Sequence, residues 1–172
     1  MERTSNRLIL CGTGPVRPLT RLTVDATLNV APDLIKRYQN GHYWLERRLD
    51  DLAHNRAYAM GIATGSHLIA LALLTPKGAH AVKLSTFSVA PRFRSAGIGR
   101  TLLQALRCKW LADDIDRVHV TVDQDDFSTT QFFLNSNFAQ TKDVLVNYGE
   151  HRWDKVLSWT PAADSRAPAF FR

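Results

Sequence analysis

Apolar residues recur along the chain with two different periods. Residues 57–64 (AYAMGIAT) and 67–75 (HLIALALLT) are short apolar runs separated by Gly65-Ser66, which predicts two strands joined by a tight hairpin. A third run, 82–90 (VKLSTFSVA), alternates Val82, Leu84, Thr86 and Ser88 against Lys83, Ser85, Phe87 and Val89. Apolar side chains occur in both sets, which predicts a strand inside the sheet rather than at its edge. From Gly97 to Asp113 the period changes. Ile98, Leu102, Leu106 and Trp110 recur every four residues with Leu103 and Leu111 beside them, the apolar stripe of a helix. Trp44, Leu45, Leu49 and Leu52 predict a second helix over 43–55. A shorter one is predicted from Asn29 or Pro32 to Gln39, stopped by Asn40-Gly41.

The remaining segments complete the order. VRPLTRLTV (16–24) predicts a first strand, at an edge because Pro18 cannot donate to a ladder. RVHVTVD (117–123) alternates as a strand. Ser128 is placed to cap a short helix that reaches Asn135 and stops at Asn137. VLVNY (144–148) and RWDKVLSW (152–159) predict two final strands about a turn at Gly149-Glu150. The order is strand, two helices, three strands, helix, strand, helix, two strands. It predicts an α/β (α+β) fold with one mixed sheet flanked by helices. Val82 to Val122 is expected to form a parallel, right-handed crossover. At 172 residues the chain is one domain's worth on a scale of about 100–200 residues. The domain spans 1–160, and PAADSRAPAFFR (161–172) reads as a loose tail.

Composition narrows the class. Hydrophobic residues are 45% and charged residues 22%, both ordinary for a globular protein and no sign of disorder. Lys and Arg number 22 against 16 Asp and Glu, and the net charge of +6 favours anionic partners. Cys11 and Cys108 form no metal-ligand spacing and no disulfide framework. The N-terminal apolar run, Leu8 to Leu10, is too short for a signal peptide, and Leu68 to Leu74 is too short to span a bilayer. A cytoplasmic protein with no membrane partner is the expectation. His80, His119 and His151 are scattered without ligand spacing, so no metal is expected.

One stretch carries chemistry. RFRSAGIGRT (92–101) follows a buried strand and opens a helix. The first N–H groups of a helix have no internal partner and carry partial positive charge, which makes them an anion site. Gly97 and Gly99 leave those amides without Cβ cover, and Arg92, Arg94 and Arg100 add positive charge. No Gly-Lys-Ser/Thr follows, which excludes a P-loop. The third glycine of a dinucleotide-binding fingerprint is missing too.

VAPRFRSAGIGRTLL (89–103) resembles the acyl-CoA signature of the GNAT N-acyltransferase superfamily, Arg/Gln-x-x-Gly-x-Gly/Ala after a strand ending in Val-x-Pro. Arg94, Gly97 and Gly99 carry the match, with Val89 and Pro91 upstream. The element order from Val16 to Trp159 is similar to that fold as well. The resemblance implies a mostly antiparallel sheet with a central, splayed parallel pair of strands. It implies acetyl-CoA as co-substrate, an amine acceptor, and direct acetyl transfer in a ternary complex. The loop of Arg94, Ser95, Ala96, Gly97, Ile98, Gly99, Arg100 and Thr101 would hold the pyrophosphate. The backbone of Phe87 and Val89 would pair with the pantetheine arm, and Phe133 would pack against it.

The second signature of that superfamily matches less well. In DFSTTQFFLNSNF (126–138), Phe133 stands where relatives often carry a Tyr that protonates the leaving thiolate, and Asn137 stands for a Gly. Tyr148 and Ser128 are the substitute donors, with Tyr148 favoured. Glu46, Asp123, Asp125 and Asp126 are the available carboxylates, and Asp126 is the candidate base. Tyr43, Trp44 and Glu46 lie where such a fold builds its acceptor wall. Two other readings follow: an acyl-CoA-binding protein with little or no turnover, or an acetyltransferase acting on an RNA-linked amine. The charge permits nucleic acid, but no aromatic and basic strand platform favours it. Either a monomer or a homodimer fits.

Overall fold

In a computed structural model, residues 16–19, 22–37, 40–147 and 152–162 are described. Strands β1 (Arg17–Leu19), β2 (Tyr58–Thr64), β3 (His67–Pro76), β4 (Ala81–Val89), β5 (Arg117–Asp123), β6 (Ala139–Asn147) and β7 (Arg152–Trp159) form one sheet in the order β1-β2-β3-β4-β5-β7-β6. Only β4 and β5 pair in parallel. Helices α1 (Val24–Val30), α2 (Gly41–Ala53), α3 (Ile98–Ala112) and α4 (Phe127–Leu134) flank it. The β4–α3–β5 crossover and the interior position of β4 are as the apolar pattern predicts.

Two apolar layers hold the sheet. On one face Ile98, Leu102, Leu106 and Trp110 of α3 bury against Ala70, Leu84, Val118, Val120 and Leu157. Trp110 and Trp159 meet at 5.3 Å between ring centroids. On the other face Val30 and Leu52, from α1 and α2, cover Ala59, Leu71 and Leu73.

The N-terminal third departs from the sequence expectation. The first strand stops at Leu19 rather than running to Val24, because Thr23 caps α1: its hydroxyl accepts the N–H of Ala26 at 3.1 Å. The first helix therefore starts at Val24 and ends before Pro32, whose ring disfavours helical backbone at Ala31. A 3-10 turn, Leu34–Arg37, stands where that helix is expected, and its expected end at 38–39 lies outside the described residues. At the other end of the chain, Asp126 rather than Ser128 caps α4, and β6 begins at Ala139 rather than Val144. Asn137 adopts the left-handed conformation (φ 57°), which suits a position where relatives place Gly. The turn at 149–150 and residues 163–172 of the tail lie outside the described residues.

The alternation of β4 also breaks. Thr86 lies opposite Leu73, yet Leu84 lies opposite Leu74, so Ser85 is an extra residue. This bulge reverses the faces beyond it. Phe87 and Val89 consequently share the α3-side core with Val82 and Leu84, whereas strict alternation would have put them on opposite faces.

Candidate functional site

The parallel ladder between β4 and β5 is short. It runs from Ala81 opposite Arg117 to Leu84 opposite Val120 and ends there. Beyond that rung β4 continues to Val89 on β3, while β5 continues to Asp123 on β7. The bulge at Ser85 sits where the strands part. A bulge bends its strand and sharpens the local twist, which turns β4 away from β5. A hydrogen bond of 3.0 Å between the hydroxyls of Thr75 and Ser85 pins it. From Ser85 to Val89, the β5-facing edge of β4 has no ladder partner among the described residues. Backbone polar groups demand partners, so this edge suits an extended amide-bearing ligand.

A cleft of ≈ 140 Å³ opens at the parting. Leu84 to Ser88 form one wall, with Val120, Thr129, Phe133 and Arg94 around it and the Ala31–Leu34 turn opposite. The Ser88 hydroxyl donates to the Val30 carbonyl at 3.0 Å and so ties α1 to this wall. The Thr86 hydroxyl is buried with no protein partner. No sequence signal marks it, since a threonine in a strand is ordinary.

The glycine turn lies at the same end of β4. After a 3-10 turn at Pro91–Phe93, Ser95 and Gly97 both take left-handed backbone (φ 61° and 80°), and Gly97 is the N-cap of α3. That cap supplies no side-chain hydrogen bond, and the first turn of α3 has no acidic residue. Its leading N–H groups are therefore left for an external anion. A Cβ on Gly97 would meet nothing within 4 Å, so the approach is open. Gly99 differs. A Cβ there would lie 3.5 Å from the Phe132 ring and 3.6 Å from Val89, in ordinary contact. A methyl group there would therefore fit against Phe132 and Val89 without displacing either.

Around this turn Arg94 is exposed and its Nε donates to the Val89 carbonyl at 3.0 Å. Arg100 and Ala96 are exposed, Ile98 is buried, and the Thr101 hydroxyl donates to the Gly97 carbonyl at 3.4 Å. Phe87 stacks on Phe132 at 5.5 Å and meets Phe133 edge-on at 5.6 Å. Phe133 is 1% exposed and also packs on Phe132 and Phe138, so it is both core and cleft wall.

Tyr148 lies outside the described residues. Asp126 is held by its capping role: one carboxylate oxygen accepts the Thr129 N–H at 3.0 Å and the Ser128 hydroxyl at 2.9 Å. It thus stands one hydrogen bond from Thr129, a cleft residue. Asp123 accepts the Asp125 N–H at 3.0 Å and lies opposite the buried Asp154 on β7. On α2, Tyr43 and Glu46 are exposed, while Trp44 packs against Ala31, Leu34 and Leu45. Among the described residues no group of His, Cys, Asp or Glu is arranged to hold a metal.

Strand register assembles a further polar row that the linear sequence scatters. Thr75, Lys83, His119 and Ser158 lie side by side across β3, β4, β5 and β7. Burial, then Lys77 and Arg48, hold the Lys83 ammonium below its ordinary pKa, with Asp154 pulling the other way. Burial, then Lys83, Lys77 and Arg117, lower that of His119.

Residues 25–138 match the model of the Acetyltransferase (GNAT) family. No curated protein matches the chain. Among solved structures, a GNAT-family protein from Desulfovibrio desulfuricans superposes with a TM-score of 0.66 at 16% identity, covering 84% of this chain and 97% of that one. A GNAT acetyltransferase from Elizabethkingia anophelis with acetyl-CoA bound gives 0.63 at 15% identity, with coverages of 84% and 96%. A ribosomal-protein-alanine N-acetyltransferase from Brucella melitensis gives 0.64 at 18% identity, with coverages of 84% and 98%.

Proposed function

Since the chain belongs to the Acetyltransferase (GNAT) family, we propose that it moves the acetyl group of acetyl-CoA to an amine by direct attack within a ternary complex. The observation that carries this reading is the unpaired edge of β4 running straight into the open N-terminus of α3. The edge from Ser85 to Val89 offers backbone partners to the amides of a pantetheine arm, through Phe87 and Val89. The amides from Ser95 to Thr101, with Arg94 and Arg100, offer positive potential to a pyrophosphate. A Cβ on Gly97 would project into open space, and no acidic residue opposes an anion at that turn. Phe133 and Phe87 supply the apolar wall between them.

The thioester carbon would then lie at the parting of β4 and β5. A neutral amine nitrogen attacks it, a C–N bond forms, the C–S bond breaks, and the thiolate leaves. The amine must shed a proton and the thiolate takes one up. Asp126, hydrogen-bonded to the N–H of the cleft residue Thr129, is the proposed proton acceptor, and Tyr148 the proposed donor. Thr86, a buried hydroxyl in the cleft wall without a protein partner, is suited to hydrogen-bond the thioester region. Among the described residues no helix is long and apolar enough to cross a membrane, and the cytoplasm is the proposed location.

Incubation with acetyl-CoA and a pool of amines, read by free-thiol release and by the mass of acetylated product, tests the reading. Thiol release that depends on an added amine supports transfer. Binding of acetyl-CoA without thiol release would favour the binding-only alternative.

A further inference from the structure

We propose that the acceptor amine also carries a carboxylate, received by Lys83 on the α1/α2 side of the sheet. This deepens the transferase reading above and rests on it. Lys83 directly precedes Leu84, the last residue of β4 paired with β5, so it stands one residue from the parting of the strands. Val82 and Leu84 are buried in the α3-side core, which puts Lys83 on the opposite face. There it lies between Thr75 and His119. The Thr75 hydroxyl is bonded to Ser85, which lines the cleft, so one hydrogen bond links the row to the cleft wall.

Charge in this row is unbalanced. Lys83 is half-buried, and among the described residues it makes no ion pair and no side-chain hydrogen bond. Among the described residues the nearby cations are Lys77, Arg48 and Arg117, and Asp154 is the acid that acts on Lys83. Arg48 already shares Asp51 at 2.8 Å, and its buried Nε has no partner. A partly desolvated ammonium without a counter-ion is costly, and a bound anion offsets that cost. One unpaired ammonium balances one negative charge, which suits a carboxylate better than a phosphate dianion. Farther along the same face of β5, Asp123 lies opposite Asp154. Four residues separate His119 from Asp123, about 13 Å of strand. A cationic end and an acidic end thus flank the parting and match a zwitterion: an amino acid or short peptide with a free carboxylate.

The test compares acceptors as free acids and as amides, beginning with glycylglycine and its amide, by kcat/KM. Wild type should prefer the acid by about 10–100-fold, the size of one charge-assisted hydrogen bond. The acid-to-amide ratio should collapse toward one in Lys83→Met and persist in Lys83→Arg. Equal use of amides by wild type, or a preference surviving in Lys83→Met, overturns the proposal. A second readout needs no transfer. N-acetylglycine is titrated while NMR follows the His119 ring, whose midpoint should rise in wild type but not in Lys83→Met. A silent His119 sinks the carboxylate site even in an active transferase. A responding His119 in a protein that never releases thiol leaves the site standing and sinks the transferase reading alone.

Discussion

Gly97 separates the conformational role of the glycine turn from its role toward a ligand. Its φ of 80° is a conformation that side chains disfavour, while a Cβ there meets nothing within 4 Å. Gly97→Ala therefore perturbs the backbone alone. Left-handed backbone costs an L-residue roughly 1–2 kcal/mol. The stiffer unfolded chain returns about 0.4–1 kcal/mol of that. The net loss is about 1 kcal/mol, or roughly 2–4 °C in Tm for a chain of this size. Gly97→Glu has the same backbone cost and in addition sets a carboxylate before the α3 amides, where an anion would bind. Thermal unfolding is followed for wild type and both variants with and without CoA. At about 100 times Kd, CoA should stabilise wild type by roughly 2.7 kcal/mol, or about 5–11 °C. Gly97→Ala should keep a response and Gly97→Glu should lose it, both starting from a slightly lowered Tm. A folded Gly97→Glu protein with the full wild-type response would place the pyrophosphate elsewhere. No response of wild type up to millimolar CoA would end the cofactor assignment.

Phe133→Tyr should fold, because its ring lines the cleft and can present a hydroxyl there. Were the hydroxyl instead trapped against Phe132 and Phe138, the cost would be about 1–3 kcal/mol, visible in Tm. With Tyr148 as the proposed donor, Phe133→Tyr should add little to turnover while Tyr148→Phe slows it; the reverse pattern in single-turnover rates refutes that donor. Asp126→Ala should lose about 1 kcal/mol with the α4 cap, whereas Asn caps as well as Asp. Asp126→Asn should therefore keep Tm and lower kcat, and an unchanged kcat removes Asp126 as base. Acidification should destabilise the fold in two windows. Below pH 6.5 the unfolded chain takes up a proton that folded His119 resists, so stability falls as pH drops, and His119→Gln should flatten that slope. Lower still, Asp51, whose pKa the Arg56 hydrogen bond depresses below 3.8, loses its contribution as it protonates. A pH-independent Tm across both windows contradicts these assignments.

Local signals sufficed wherever one segment makes its own case. The four-residue recurrence from Ile98 to Trp110, the hairpin at Gly65-Ser66 and the glycine turn before α3 all read directly from the chain, because periodicity and turn chemistry act over a few residues. The family could be read for the same reason: its signature is one contiguous loop. Competition between neighbouring segments was less legible. Thr23 could extend a strand or cap a helix, and burial of Val30 against Leu71 and Leu73 decided for the helix. Asp126 and Ser128 could each cap α4, and the hydrogen-bond geometry chose Asp126. What the tertiary structure alone decided was register. A single extra residue at Ser85 moves Phe87 and Val89 into the α3-side core, and the parallel ladder ends one rung away. The same register sets Lys83 beside His119, 36 positions apart in the sequence (119 − 83). Strand pairing is non-local, so no pattern within either strand encodes which residue of one faces which residue of the other.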